Sequence, residues 1–243
     1  MNEINRMNLL IEKAPAGLHD FCGVLIDGYF QKSFKILDIA SGTGAMARRL
    51  TKKGYPNVTA NDIDSSSFAA EEIEFTSIDL NTYFSKKFGH EAYNAILAIE
   101  IIEHLENPLA FIRECKDILK DDGYLLITTP NVLGSESLIR WLQNGYFLYF
   151  SPGWYKSVRH ISILPPWLLD AKLAECGVHI IYRGFTPNLL KRSSSLSFRD
   201  IFGYLTLKCA NVVLRGCGRS KGETTGTNYV LLCKKQHVDN VKG

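Results

Sequence analysis

Short apolar runs of four to seven residues alternate along the first two thirds of the chain with longer stretches of helical spacing. Runs at residues 35–39, 58–61, 73–78, 93–99 and 124–129 have the length of short strands, with the first of them read as buried. Between them, residues 45–53 show helical periodicity ended by Gly54. Residues 109–119 do so again, stopped by Asp121-Asp122-Gly123. The alternation predicts a parallel sheet covered by helices. After Asn131 the pattern changes to an aromatic stretch, 141–154, interrupted by glycine and proline, and residues 132–165 read as a lid or substrate-facing insertion. Helical spacing returns at 166–175, followed by strands at 178–182 and 228–234. The connection between those two strands, 186–227, is longer than usual and reads as an extra insertion.

With 243 residues, 46% of them hydrophobic, the chain can bury a full core and fits one domain spanning 1–243. A net charge of +3 is too small for a protein whose affinity rests on neutralising many phosphates, so nucleic acid is unadvertised as a partner. The six cysteines are scattered, without a Cys-x-x-Cys pair, and are read as reduced thiols of a cytoplasmic protein. Residues 1–16 lack the apolar core of a signal peptide, and no run approaches a transmembrane length.

The chemistry begins where the first strand ends. Asp38-Ile39-Ala40-Ser41-Gly42-Thr43-Gly44 followed by a helix offers backbone amides and close approach to a ligand. Gly42-x-Gly44-x-x-Ala47 also satisfies a dinucleotide fingerprint, and a merely tight turn would look the same. Asp38 decides between ligands. An anion there is unfavourable beside a pyrophosphate and favourable beside the ammonium and sulfonium of S-adenosylmethionine. Asp62, 18 residues beyond Gly44, is placed to bond both ribose hydroxyls of an adenosine.

Four segments, Leu37-Asp38-Ile39-Ala40-Ser41-Gly42-Thr43-Gly44, Val58-Thr59-Ala60-Asn61-Asp62-Ile63-Asp64, Ser77-Ile78-Asp79-Leu80 and Glu100-Ile101-Ile102-Glu103-His104-Leu105, carry a resemblance to class I S-adenosylmethionine-dependent methyltransferases. It covers residues 30–185. The resemblance implies an α/β, Rossmann-like fold with a mostly parallel seven-stranded sheet and helices on both faces, in which 30–185 is the cofactor-binding core. It further implies a cofactor site of Asp38, Ala40, Ser41, Gly42 and Gly44 around the methionine part, Asp62 and Ile63 at the ribose, Asp79 and Leu80 at the adenine, and Ile99 alongside. Ala40 departs from the family's usual glycine and predicts a slightly shifted loop.

Glu100, Glu103 and His104 stand at i, i+3 and i+4, which on a helix start would place them on one face. Hard carboxylates with imidazole suit Mg²⁺ or Mn²⁺, with His160 as a fourth ligand. The set is similar to that of small-RNA 2′-O-methyltransferases and, in part, of ubiquinone-biosynthesis O-methyltransferases. The alternative is that the two glutamates answer the helix dipole and His104 is a hydrogen-bonded pocket residue. Either way an oxygen acceptor follows, its proton removed by His104, His160 or the metal-lowered pKa, with Glu103 beside them.

The leading reading is O-methylation of a small molecule or glycan, with RNA 2′-O-methylation as the alternative acceptor. An NAD-dependent oxidoreductase would need a Tyr-x-x-x-Lys or comparable relay, and no convincing one is seen. A non-catalytic cofactor-binding protein would be expected to have lost the acids. Trp141, Tyr146, Phe147, Tyr149, Phe150, Trp154 and Tyr155 are read either as acceptor-pocket lining or as a small local core. The apolar segment 196–214 is read as a packed helix, with peripheral membrane contact as the alternative.

Overall fold

The computed structural model describes residues 12–187 and 198–236. Lys191, Arg192 and the first two residues of the 196–214 segment lie outside them. Seven strands form one sheet: β1 Ile36–Ile39, β2 Val58–Asn61, β3 Glu74–Thr76, β4 Tyr93–Ile99, β5 Leu119–Pro130, β6 Val178–Phe185 and β7 Asn228–Lys235. Their order is β3-β2-β1-β4-β5-β7-β6. The first five run parallel, and β7 is antiparallel to both β5 and β6. The expected α/β architecture with a mostly parallel seven-stranded sheet is the one observed.

Alternate strand residues face opposite sides and build two cores. Leu37, Ile39, Ile96, Ala98, Leu125 and Ile127 pack under helices α3 Ser85–Phe88, α4 Pro108–Ile118 and α7 Pro166–Glu175. Ile36, Ala95, Leu97 and Leu126 pack under α1 Leu18–Tyr29 and α2 Ala45–Lys52. Burying both faces explains why these strands are predominantly apolar.

The helix α1 had no counterpart in the sequence-based expectation. Leu18, Cys22, Leu25 and Ile26 form its buried stripe, but Gly23 and Gly28 interrupt the pattern. The expected stop at Asp121-Asp122-Gly123 is corrected. The helix ends at Ile118, and the triad lies inside β5, where pairing with β4 jumps from Tyr93↔Leu119 to Ala95↔Tyr124. The aromatic stretch contains two helices, α5 Ser135–Asn144 and α6 Pro152–Val158. The second starts where Ser151 caps the amide of Trp154 ahead of Pro152. The long insertion supplies α8 Phe198–Gly216 and α9 Lys221–Thr225.

Strand order reverses at the β1/β4 boundary, because the chain leaves β1 toward β2 on one side and returns at β4 on the other. A crevice at the carboxyl ends of these two strands is the place where open α/β sheets take ligands.

Candidate active site

At that crevice lies a cavity of about 680 Å³. Asp38, Ala40, Ser41, Gly42, Asp62, Ile63 and Ile99 from the expected cofactor set line it, as do Glu100, Glu103, His104 and His160. Gly44, Asp79 and Leu80 lie outside its lining. Gly44 caps α2 at φ 82°, and a Cβ there would sit 2.7 Å from both Ala70 Cβ and Phe68 Cε2. Asp79 closes a turn by accepting from the Asn81 amide (2.9 Å), and Leu80 is part of a core.

The loop after β1 is shaped by left-handed backbone at Ala40 (φ 54°), Gly42 (φ 55°) and Gly44. Asp62 fixes it from β2, its two oxygens accepting from the amides of Gly42 (2.8 Å) and Asp64 (2.9 Å). Asp38 is 2% exposed, and its Oδ2 has no partner. Burial, reinforced by the charge of Asp62, pushes its carboxyl up to about 7. A buried acid with an open oxygen on a cavity wall fits an ammonium group, so these residues suit the amino-acid end of S-adenosylmethionine.

Sequence reasoning missed the opposite wall. Lys13, Ala14, Pro15, Ala16 and His19 line the same cavity. His19 is 7% exposed, its Nδ1 3.4 Å from Glu12 Oε1 but without hydrogen-bond geometry. Burial lowers its pKa. Glu12 and Asp20 both pair with Arg49 of α2, which ties this amino-terminal segment over the loop. Nothing in the sequence near these residues forms a motif; only the fold brings them to the site.

The Glu-Glu-His set departs from the helical face that its spacing suggested. Glu100 ends β4 in left-handed backbone (φ 52°), and Glu103 and His104 lie on a single 3₁₀ turn, Ile102–His104. Glu100 is corrected out of the candidate ligand cluster. Its Oε1 accepts from Thr128 Oγ1 and its Oε2 from Asn228 Nδ2, each at 2.7 Å, which binds it to β5 and β7. Burial raises it to about 7. Glu103 is fully buried and held well above the usual carboxylate range, first by burial and then by the Glu100 charge. It accepts from Thr129 Oγ1 (3.2 Å), and its other oxygen has no partner.

His160 joins Glu103 and His104 from the far end of the 132–165 segment. One ligand atom of each lies within 4.8 Å of the others. The amides of Ile161 and Ser162 both donate to Glu103 O at 2.9 Å, anchoring the end of the 132–165 segment beside the turn. The two imidazoles meet edge to face, centroids 4.6 Å apart. His104 Nδ1 donates to Val158 O (2.7 Å) and His160 Nδ1 to Tyr149 O (2.9 Å), so Nε2 of each ring carries the lone pair. Burial lowers both pKa values, that of His160 to about 4 with the help of His104, and both rings are neutral at pH 7. Of the aromatic stretch, Tyr149 and Trp154 line the cavity, with Trp154 stacked on His160 (5.4 Å). Trp141 and Phe147 pair with each other outside it.

A methyltransferase-domain family model matches residues 10–174. A ubiquinone biosynthesis O-methyltransferase of Dinoroseobacter shibae is 28% identical over 185 residues, covering 70% of each chain. Among solved structures, an S-adenosylmethionine-dependent methyltransferase of Archaeoglobus fulgidus shares the fold with a TM-score of 0.60 at 16% identity, covering 89% of this chain and 94% of that one. The [4+2]-cyclase SpnF shares it with a TM-score of 0.58 at 15% identity, covering 90% and 81%. The model spans well over half the chain, which therefore belongs to the methyltransferase-domain family and is an S-adenosylmethionine-dependent methyltransferase.

Proposed function

We propose that the methyl acceptor is an oxygen, the hydroxyl of a small molecule or glycan held between the lid, 132–165, and the carboxyl edge of the sheet. The observation that carries this reading is the His104–His160 pair, two neutral imidazoles with Nδ1 fixed to backbone and Nε2 left as a base. The curated relatives named as O-methyltransferases support the same acceptor atom.

S-adenosylmethionine, when bound, supplies an electrophilic methyl on a sulfonium. Asp38 accepts from its ammonium, Ser41 and Gly42 approach the methionine part together with Ala40, and Asp62 takes the ribose between Ile63 and Ile99. Lys13 and His19 supply donors for the carboxylate. His104 removes the hydroxyl proton, and His160 and Glu103 orient it. His104 is the stronger base of the two rings, since burial and then the neighbouring imidazole leave His160 near 4. Tyr149 and Trp154 pack on the acceptor, and alignment contributes the rest of the acceleration.

Glu103, His104 and His160 also fit Mg²⁺ or Mn²⁺: an open buried carboxylate oxygen and two imidazole nitrogens converge. A cation there would lower the pKa of the acceptor hydroxyl. Lys13 is the only lysine or arginine among the described residues lining the cavity, which favours an uncharged acceptor over RNA. All six cysteines are free, which supports a reducing, cytoplasmic location.

Incubation with methyl-labelled S-adenosylmethionine and a panel of phenols, glycans and amines, read by mass spectrometry, tests this. Label on oxygen is expected, with His104→Ala lowering kcat by about 100-fold or more. Label on nitrogen or carbon alone, or turnover indifferent to His104→Ala, would overturn it.

A further inference from the structure

A cavity of about 250 Å³ opens at the carboxyl edge of the sheet, beside the ends of β5 and β6 and the start of β7. It adjoins the cofactor crevice without sharing a lining residue. Pro130 and Asn228 line the crevice, and their chain neighbours Asn131 and Tyr229 line this cavity. Both insertions contribute to it: Leu133 from the start of the 132–165 segment, and Arg219 and Glu223 from the 186–227 connection. A guanidinium carries five N–H donors. Arg183 directs Nη2 at Asp170 Oδ2 (2.6 Å) and Arg219 directs Nη1 at Leu133 O (2.8 Å), bonds that orient both heads without exhausting their donors. The acids beside them are engaged as well. Asp170 Oδ1 accepts from Tyr229 Oη (2.8 Å), and Glu223 Oε2 accepts from the Ser220 amide (2.7 Å). The Ser220 bonds, and after them the charges of Arg219 and Arg183, hold Glu223 below the usual carboxylate range, which places both guanidiniums near one carboxylate. Aromatic surface completes the walls. Trp167 is 66% exposed on the first turn of α7, and Phe185 packs on Tyr229 with centroids 5.0 Å apart.

We propose that this cavity binds a small aromatic carboxylate, its anionic group on Arg183 and Arg219 and its ring against Trp167 and Phe185. A planar carboxylate matches the fork of a guanidinium, and an exposed indole offers a face for a ring. Asp170 and Glu223 offset the two arginines and leave the cavity close to neutral, which admits a single negative charge and disfavours a multiply charged phosphate. The volume falls below the range of drug-sized sites, which limits the ligand to about one ring. The inference does not depend on which acceptor the cofactor cavity takes.

Calorimetric titration of the full chain with sodium benzoate, beside benzamide and inorganic phosphate, tests it. Saturable binding of benzoate in the millimolar range is expected, tighter than that of benzamide or phosphate by about fivefold or more. Arg183→Gln and Arg219→Gln each weaken it by about fivefold or more, and Trp167→Ala by about threefold. Each variant retains S-adenosylhomocysteine binding, which separates loss of the site from loss of fold. An aromatic acid could also enter the cofactor cavity, so Trp154→Ala is the control, and benzoate binding is expected to be unchanged by it. No saturable binding of benzoate, equal binding of benzamide, or tighter binding of phosphate would refute the proposal. So would benzoate binding that is lost in Trp154→Ala and kept in Arg183→Gln, which would assign the ligand to the cofactor cavity.

Discussion

At the scale of single residues, the site is built from backbone that most side chains avoid. Ala40 and Glu100 both occupy left-handed conformations at the ends of neighbouring strands, and both line the cavity. The cost of holding an L-residue there is about 1–2 kcal/mol. At Ala40 the side chain brings no hydrogen bond in return. Ala40→Gly should therefore stabilise the protein by about 0.5–1 kcal/mol, since glycine removes the strain but loosens the unfolded chain. Thermal melting checks this: a rise of about 2–4 °C is expected, and an unchanged or lower midpoint would mean the loop holds no strain at this position. The sequence hinted at this through the departure from glycine at Ala40. Its expected consequence, a shifted loop, instead takes the form of alanine accepting a glycine-like φ.

At the scale of elements, Glu100 ties three strands together, through Thr128 on β5 and Asn228 on β7 as well as its own position after β4. Its folded pKa, about 7, lies above the ordinary 4.5. A carboxyl raised in this way weighs against the folded state increasingly as pH climbs from the unfolded value to the folded one. Thr128→Val removes a donor that favours the ionised form. It should cost about 1–3 kcal/mol, and more at about pH 8 than at about pH 5, in urea unfolding. A larger cost on the acid side would contradict the assignment.

The same elements show what the sequence could and could not disclose. Tyr93–Ile99 was legible in full because a strand buried on both faces is mostly apolar, and the short Val58–Asn61 because it stands between a glycine-ended helix and an acidic turn. The start of β5 was hidden by a polar triad sitting at a pairing irregularity. In the 132–165 segment, dense aromatics masked the helical period of α5 and α6. Asp38 and Gly42 were visible because they flank one turn, and Asp62 because it stands at the end of the next strand. His19 and the contact between His104 and His160 were not: a proposed ligand wall and a base pair made by chain closure leave no local spacing to read.

At the scale of the whole molecule, the sheet's switch point gathers three acids that line one cavity, Asp38 and Glu103 buried and Glu100 half-buried. All three hold their protons above the usual carboxylate range because burial penalises their charge. A cationic ligand reverses that penalty where it meets an open oxygen, which is the case at Asp38. The binding of an ammonium group should thus draw a proton from Asp38 near neutral pH, and affinity should strengthen as pH rises through about 7. The fold is shared with proteins of different chemistry, so the cavity and not the sheet carries the functional claim. Calorimetric titration of the full chain with S-adenosylhomocysteine, beside Asp38→Asn, tests that claim most directly. The account predicts one ligand per chain, tighter at about pH 8 than at about pH 6, and weakened about tenfold or more by Asp38→Asn. No binding by the parent chain, or binding indifferent to both pH and Asp38→Asn, would contradict it.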